Sequence, residues 1–339
     1  MPDLSVEIGA LRLKNPIVCG SSERTMTIED LRAAVDAGAA AVVVKSTNES
    51  EAARRQLEVA EYALLDPEWT EVEAASAGRS STLFNRSGLS SLPFEEWLQM
   101  VVVADAYACT HDAYAVASLI PAGVDELVRM AAAIEAAGVR WLEVNLGAAH
   151  GEEAAPGAIE LVAAPERVTE IVGRVRATVE LPLTVKLPGH GDVIELAAAA
   201  RVAGADSVCL AGRTLGFLPD LETRRPVLGT YGAIGGAWAL PLTLRWVAKA
   251  RQRLGPDFPF LATNGIRDGR DAARALLAGA SAVELATAVW IEGFDTLTRA
   301  IGQLAAYLEE QGSDAADIVG ESADAVMTYE EVQAVRRAT

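Results

Sequence analysis

The chain has 339 residues, a formal charge of −18 and 22% charged residues, a globular composition rather than that of a disordered segment. The negative excess argues against nucleic acid or an anionic membrane as partner, since neither offers a positive counter-surface, and an anionic ligand would need a local basic pocket. Cys19, Cys109 and Cys209 each stand alone, without the spacing of zinc or iron–sulfur ligands, and are expected as reduced thiols of a cytoplasmic protein. No apolar run reaches the length of a membrane span and the N-terminus lacks the pattern of a signal peptide, so a soluble chain is expected.

In chain order, residues 4–8 and 11–13 alternate apolar and polar around Gly9-Ala10 and predict a short hairpin. Residues 16–19 read as a first buried strand, followed by the turn Gly20-Ser21-Ser22 and a helix over 27–37, with Thr27 as N-cap and Gly38 as stop. Residues 39–45 form a second apolar strand that ends in Lys45. The segment 46–93 is too long for a plain connection and is expected to fold over a site. A helix over 94–105, a third strand at 114–120 and a helix over 125–137 come next. Strand four, 141–145, ends in Asn145, and a Gly/Ala loop over 146–158 leads to a helix at 165–178. Strand five, 182–186, ends in Lys186, a helix covers 193–203, and strand six occupies 207–210. A long loop, 211–240, precedes the helix 241–254. Strands at 259–263 and 282–286 flank a helix at 268–278, and residues 312–339 read as an acidic, then mixed, tail with a final helix packed outside.

Eight nearly all-apolar strands alternating with helices predict an α/β fold, a (β/α)8 TIM barrel with a short N-terminal β-hairpin and long loops over the C-terminal face, in one domain over residues 1–339 with its core at about 4–311. In such barrels a phosphate site follows strands seven and eight. Here those strands lead into Asn264-Gly265-Ile266 and Ala286-Thr287-Ala288, where Gly265 lets the backbone approach a ligand and the N-terminus of the helix that follows it faces an anion. Lys45, Asn145 and Lys186 end their strands on the same face, so they should line one pocket. Two lysines without adjacent carboxylates favour an electron-rich ligand, such as a reduced flavin or an enolate-like oxygen.

At these residues the chain resembles the dihydroorotate dehydrogenase family, most closely its class 1 branch, over roughly residues 4–311. The matching pieces are Asn15-Pro16, Val44-Lys45-Ser46, Asn85-Arg86-Ser87-Gly88-Leu89, Glu143-Val144-Asn145-Leu146, Val185-Lys186-Leu187-Pro188, Gly232 to Ala237, and Asn264-Gly265-Ile266. The resemblance implies bound FMN, with Ser21 and Lys45 against the isoalloxazine and Lys186 at its pyrimidine edge. Asn85 and Asn145 would bond flavin or substrate, with Gly88 and Leu89 beside the substrate. Gly235, Gly236, Asn264, Gly265, Ala286 and Thr287 would hold the ribityl phosphate. A homodimer acting on a small, anionic molecule is the family-level expectation for partners.

The departures lie on the substrate side. The family's Asn-x-Ser-Cys-Pro-Asn loop, whose Cys or Ser is the base, becomes Asn145-Leu146-Gly147-Ala148-Ala149-His150. A methyl group at Ala148 cannot take a proton, and the paired Asn-Ser after strand six becomes Gly212-Arg213. The favoured expectation is therefore an FMN oxidoreductase acting on another substrate, with His150 as acid/base and Arg213 binding a carboxylate or phosphate. His190 is a second candidate base. Two alternatives stay open: dihydroorotate dehydrogenase proper with Ser87 or Ser90 as base, and a barrel that binds flavin or a phosphorylated metabolite without turnover.

Overall fold

A computed structural model describes residues 1–147 and 154–338. The barrel strands are β1 (Ile17–Cys19), β2 (Ala41–Val43), β3 (Tyr114–Leu119), β4 (Leu142–Asn145), β5 (Leu183–Lys186), β6 (Ser207–Leu210), β7 (Phe260–Thr263) and β8 (Ala282–Leu285). They pair in parallel in sequence order, and β8 joins β1 to close the cylinder. Most of their residues are apolar because both faces of each strand meet protein, with Glu143, Lys186 and Glu284 as buried charged exceptions. In β1, Ile17 and Cys19 belong to the layer under the helices, whereas Val18 points inward with Val43 of β2 and Leu261 of β7.

The hairpin of Val6–Ile8 and Leu11–Leu13 sets Val6, Ile8, Leu11 and Leu13 against those inward residues. It thus plugs the N-terminal end of the barrel and leaves the opposite end as the open face. Local signals place the helices as expected. Thr27 accepts from Asp30 N to start the helix Ile28–Asp36, and Gly38, at φ +96°, follows its end.

The two long segments differ from expectation. Within them, Glu61–Leu65, Thr82–Arg86, Thr214–Gly216 and Gly232–Gly236 form a four-stranded antiparallel sheet, in which Asn85 pairs with Ala233 and Phe84 with Ile234. Its own small core contains Ala63, Leu65, Phe84 and Leu228. The tail also differs. Ala315, Ile318 and Ala323 are the buried part, and Arg251 clamps Asp324 at 2.9 and 2.7 Å, whereas the final helix Tyr329–Ala338 presents an exposed Tyr329.

Candidate active site

The C-terminal ends of the strands open into a cavity of about 1130 Å³ counted out to its solvent-open mouth. The antiparallel sheet roofs it with Leu83, Asn85, Ala233 and Ile234. Lys45, Asn145 and Lys186 all reach it, as do Ser21, Gly88, Leu89 and Arg213.

Lys45 is pinned by its backbone: its N–H donates to Thr25 O at 2.9 Å, and Trp97 Nε1 donates to its carbonyl at 2.9 Å. Its ammonium donates to Glu23 Oε1 at 2.8 Å and to Ser87 Oγ at 3.1 Å, and the Ser87 hydroxyl donates to the same Glu23 oxygen. Burial pulls the Lys45 ammonium below its ordinary value, the Glu23 carboxylate opposes that, and Arg213 adds to the lowering. For Glu23 burial opposes ionisation, but Lys45, Arg213 and the Ser87 hydroxyl outweigh it and hold the carboxyl well below its usual range. Tyr62, beside Ser87 and Glu23, is pushed up to about 12 by burial and then by the Glu23 charge.

Lys186 also has carboxylate partners, so the expectation of two lysines without adjacent acids is overturned at both. Its Nζ donates to Glu284 Oε2 and lies 3.8 Å from Glu143 Oε2, and both carboxylates are about 1% exposed. Ser118 Oγ donates to Glu143 Oε1 at 2.7 Å, and Cys209 Sγ to Glu284 Oε1 at 3.4 Å. Burial disfavours the Lys186 charge, yet Glu143 and Glu284 more than offset it and hold the ammonium above its ordinary value. Two acids sharing one lysine leave one in excess. Burial first and Glu284 next therefore push Glu143 up to about 7 from 4.5, against the opposing Lys186 charge.

A raised carboxyl value means that the folded chain binds the proton more tightly, so Glu143 favours folding at low pH. That contribution is complete below about pH 4.5 and is lost as pH rises through about 7. Glu143→Gln cannot ionise. Urea unfolding should show it near wild-type stability at pH 5 and ahead by up to about 3 kcal/mol at pH 8; equal offsets at the two pH values would contradict the assignment.

Past β7, Asn264 and Gly265 adopt left-handed backbone, at φ +73° and +87°. Thr243 Oγ1 holds the turn by donating to Thr263 O at 3.1 Å and Asn264 O at 2.9 Å. A Cβ on Gly235 would meet Asn264 Oδ1 at 3.1 Å and Thr287 Oγ1 at 3.2 Å, so three polar positions converge on one point. Asn264 Oδ1 is buried there without a hydrogen-bond partner, a deficit that a ligand donor would satisfy. Ala286 lines the same wall, and Gly236 lies in an adjoining hollow with Gly265 and Thr287.

The helix Gly269–Leu277 does not serve as expected. Asp268 caps it through Asp271 N and pairs with Arg79, and Gly269 N donates to Gln303 Oε1 at 3.1 Å, so its terminus is already satisfied by protein.

Among the substrate-side residues, Asn85 Oδ1 accepts from Arg213 Nη1 at 3.2 Å, while Asn145 Oδ1 accepts from Gly147 N at 3.0 Å. A Cβ on Gly88 would lie 2.7 Å from Leu57 N, and Leu89 packs with Ala53, Ile120 and Ala158. Ser87 lines the cavity; Ser90 does not, and instead accepts from Leu92 N at 3.4 Å. His190 is exposed and off the cavity wall. Ala148 and His150 lie outside the described residues. The sequence reading missed Glu23, Glu143 and Glu284. A signal for the last two exists, because each is an acid inside an apolar strand, and Glu143 stands two residues before Asn145, on the inward face.

Fold and site together define a (β/α)8 barrel whose working cavity, at the C-terminal strand ends, joins a polar cradle after β7 and β8 to a charged layer from β1, β2 and β5. The sequence profile described as dihydroorotate dehydrogenase matches residues 3–308, and the chain belongs to that family of oxidoreductases acting on CH–CH groups. Family members are flavoproteins. Among its relatives is a protein of Pyrococcus abyssi named dihydroorotate dehydrogenase B (NAD(+)), catalytic subunit, 30% identical over 328 residues, covering 94% of this chain and 98% of the relative. Proteins of the same name from Pyrococcus furiosus and Bacteroides fragilis are each 29% identical, over 320 and 325 residues, covering 94% of this chain and 98% and 99% of theirs. Among the described residues no helix is long and apolar enough to cross a membrane.

Proposed function

We propose that this chain is an FMN-dependent oxidoreductase that exchanges hydride with a C–C or C–N bond next to a carbonyl, on a substrate other than dihydroorotate. The observation that carries the cofactor half is the convergence of Gly235, Asn264 and Thr287 around an unpartnered buried amide oxygen. Asn264 Oδ1 suits a ribityl hydroxyl, while the Thr287 hydroxyl and the backbone of Gly235, Gly236, Gly265 and Ala286 suit the phosphate. When bound, the flavin supplies hydride acceptance and donation at N5.

The chain's own residues do the rest. Ser21, Lys45 and Asn145 orient the ring, and Lys186 offers a donor at the pyrimidine edge, its charge balanced by Glu284. Asn85, Gly88 and Leu89 shape the substrate side, and Arg213, tethered to Asn85, is placed for a substrate carboxylate or phosphate. His150 takes or gives the proton that accompanies hydride movement, a role for which a group titrating near neutrality is suited; Ala148, at the family's base position, cannot. We include a homodimer in this reading.

The experiment is the anaerobic absorption spectrum before and after dihydroorotate. A yellow protein that ignores dihydroorotate, with turnover on its own substrate lost in His150→Ala while flavin stays bound, is the expected result. Bleaching by dihydroorotate would overturn the substrate half and favour the second reading, dihydroorotate dehydrogenase itself, which the relatives' names support. A colourless protein that takes up no FMN would end the flavin reading.

A further inference from the structure

Glu23 sits in the turn after β1 and lines the cavity with a side chain 20% exposed. Oε1 already receives both Lys45 and Ser87, and the Tyr62 hydroxyl also donates to the carboxylate, which leaves room for one further donor from the cavity side. An ion pair that served folding alone would be complete with Lys45. Here Arg213 lines the same cavity and its charge also bears on Glu23; with Lys186 paired to Glu284, the group of Lys45, Arg213 and Glu23 holds two cations and one anion. We propose that Glu23 determines substrate specificity: it restricts the cavity to a singly charged anion that also carries an N–H or O–H donor, and excludes dicarboxylates. The inference deepens the proposed function and rests on its reading of this cavity as the substrate site.

The charge balance decides the class of ligand. One substrate carboxylate brings Lys45, Arg213 and Glu23 to neutrality, whereas a second would place a net negative charge in a half-buried space beside Glu23. The remaining lone pair of Glu23 can accept a donor, and a carboxylate has none to give. The same electrostatics make Glu23 a recognition group and not the acid/base: a carboxyl held this far below its usual range remains ionised and takes up protons poorly near neutral pH. The monoamide of a dicarboxylic acid has the required pattern, with one anionic end and one N–H end.

Fumarate and its monoamide share one carbon skeleton and differ in charge and in the amide N–H donors, so they read this residue directly. Calorimetric titration of each into FMN-loaded protein, and into the flavin-free chain, should show the monoamide binding tighter by about tenfold or more. In Glu23→Gln that ratio should fall to about one or reverse, and in Glu23→Asp the preference should persist. Fumarate binding as tightly as the monoamide in the wild type, an unchanged ratio in Glu23→Gln, or no monoamide binding at about 10 mM would each overturn the proposal. The wild-type ratio needs no variant to fold. Failure of FMN to load defeats the flavin reading alone, since the flavin-free chain still reports the ratio.

Discussion

Lys186→Met should lower unfolding stability by about 3–5 kcal/mol, the typical effect of removing one partner from a buried ion pair. The cause is specific to this barrel. Glu143 and Glu284, each about 1% exposed, would face one another with only the Ser118 hydroxyl and the Cys209 thiol as donors. The variant can relieve this only by protonating both carboxyls, so its folded state holds protons more tightly than its unfolded state. Its deficit should therefore grow as pH rises, and urea unfolding at pH 6 and pH 8 measures it. Adding Glu143→Gln and Glu284→Gln to the same chain should recover most of the loss. A deficit under about 1 kcal/mol at pH 8 would show that the cluster is hydrated and not the dry network described.

Gly265→Ala should weaken FMN binding by about a hundredfold. The residue has φ +87°, where a side chain is strained, and its Cβ would overlap the backbone N of Leu240 and lie 2.7 Å from Leu240 Cα. The turn would have to move away from Thr243, whose hydroxyl fixes both Thr263 O and Asn264 O, and Asn264 Oδ1 would move with it. Gly255→Ala is the control. That glycine has φ +90° but nothing within 4 Å of its Cβ position, so the change adds backbone strain away from the cavity. Flavin fluorescence titration should separate the two, and equal flavin affinities would remove Gly265 from the cradle.

The barrel was readable in the sequence because its signals are local. Short apolar runs, N-caps such as Thr27 and helix stops such as Gly38 each act within a few residues, and their repeated alternation admits few architectures. The positions of Lys45, Asn145 and Lys186 followed from strand ends alone, since closure of a parallel barrel brings all such ends to one face. The cradle after β7 and β8 was legible for the same reason.

What chain order could not reveal was pairing at a distance. The roof sheet joins residues 82–86 to 232–236, short segments, the second rich in glycine, whose strand character comes from one another and not from their own periodicity. The charge state of the site was hidden likewise: Glu23 meets Lys45 and Ser87, and Glu284 meets Lys186 from a strand 98 residues away. Sequence by itself determined the barrel, its open face and the lysines on that face, because strand periodicity and parallel closure are local rules repeated. Only the tertiary structure decided that those lysines are paired with carboxylates and that the cavity also holds the acid Glu23, because low-dielectric burial makes charge depend on which side chains meet across the barrel.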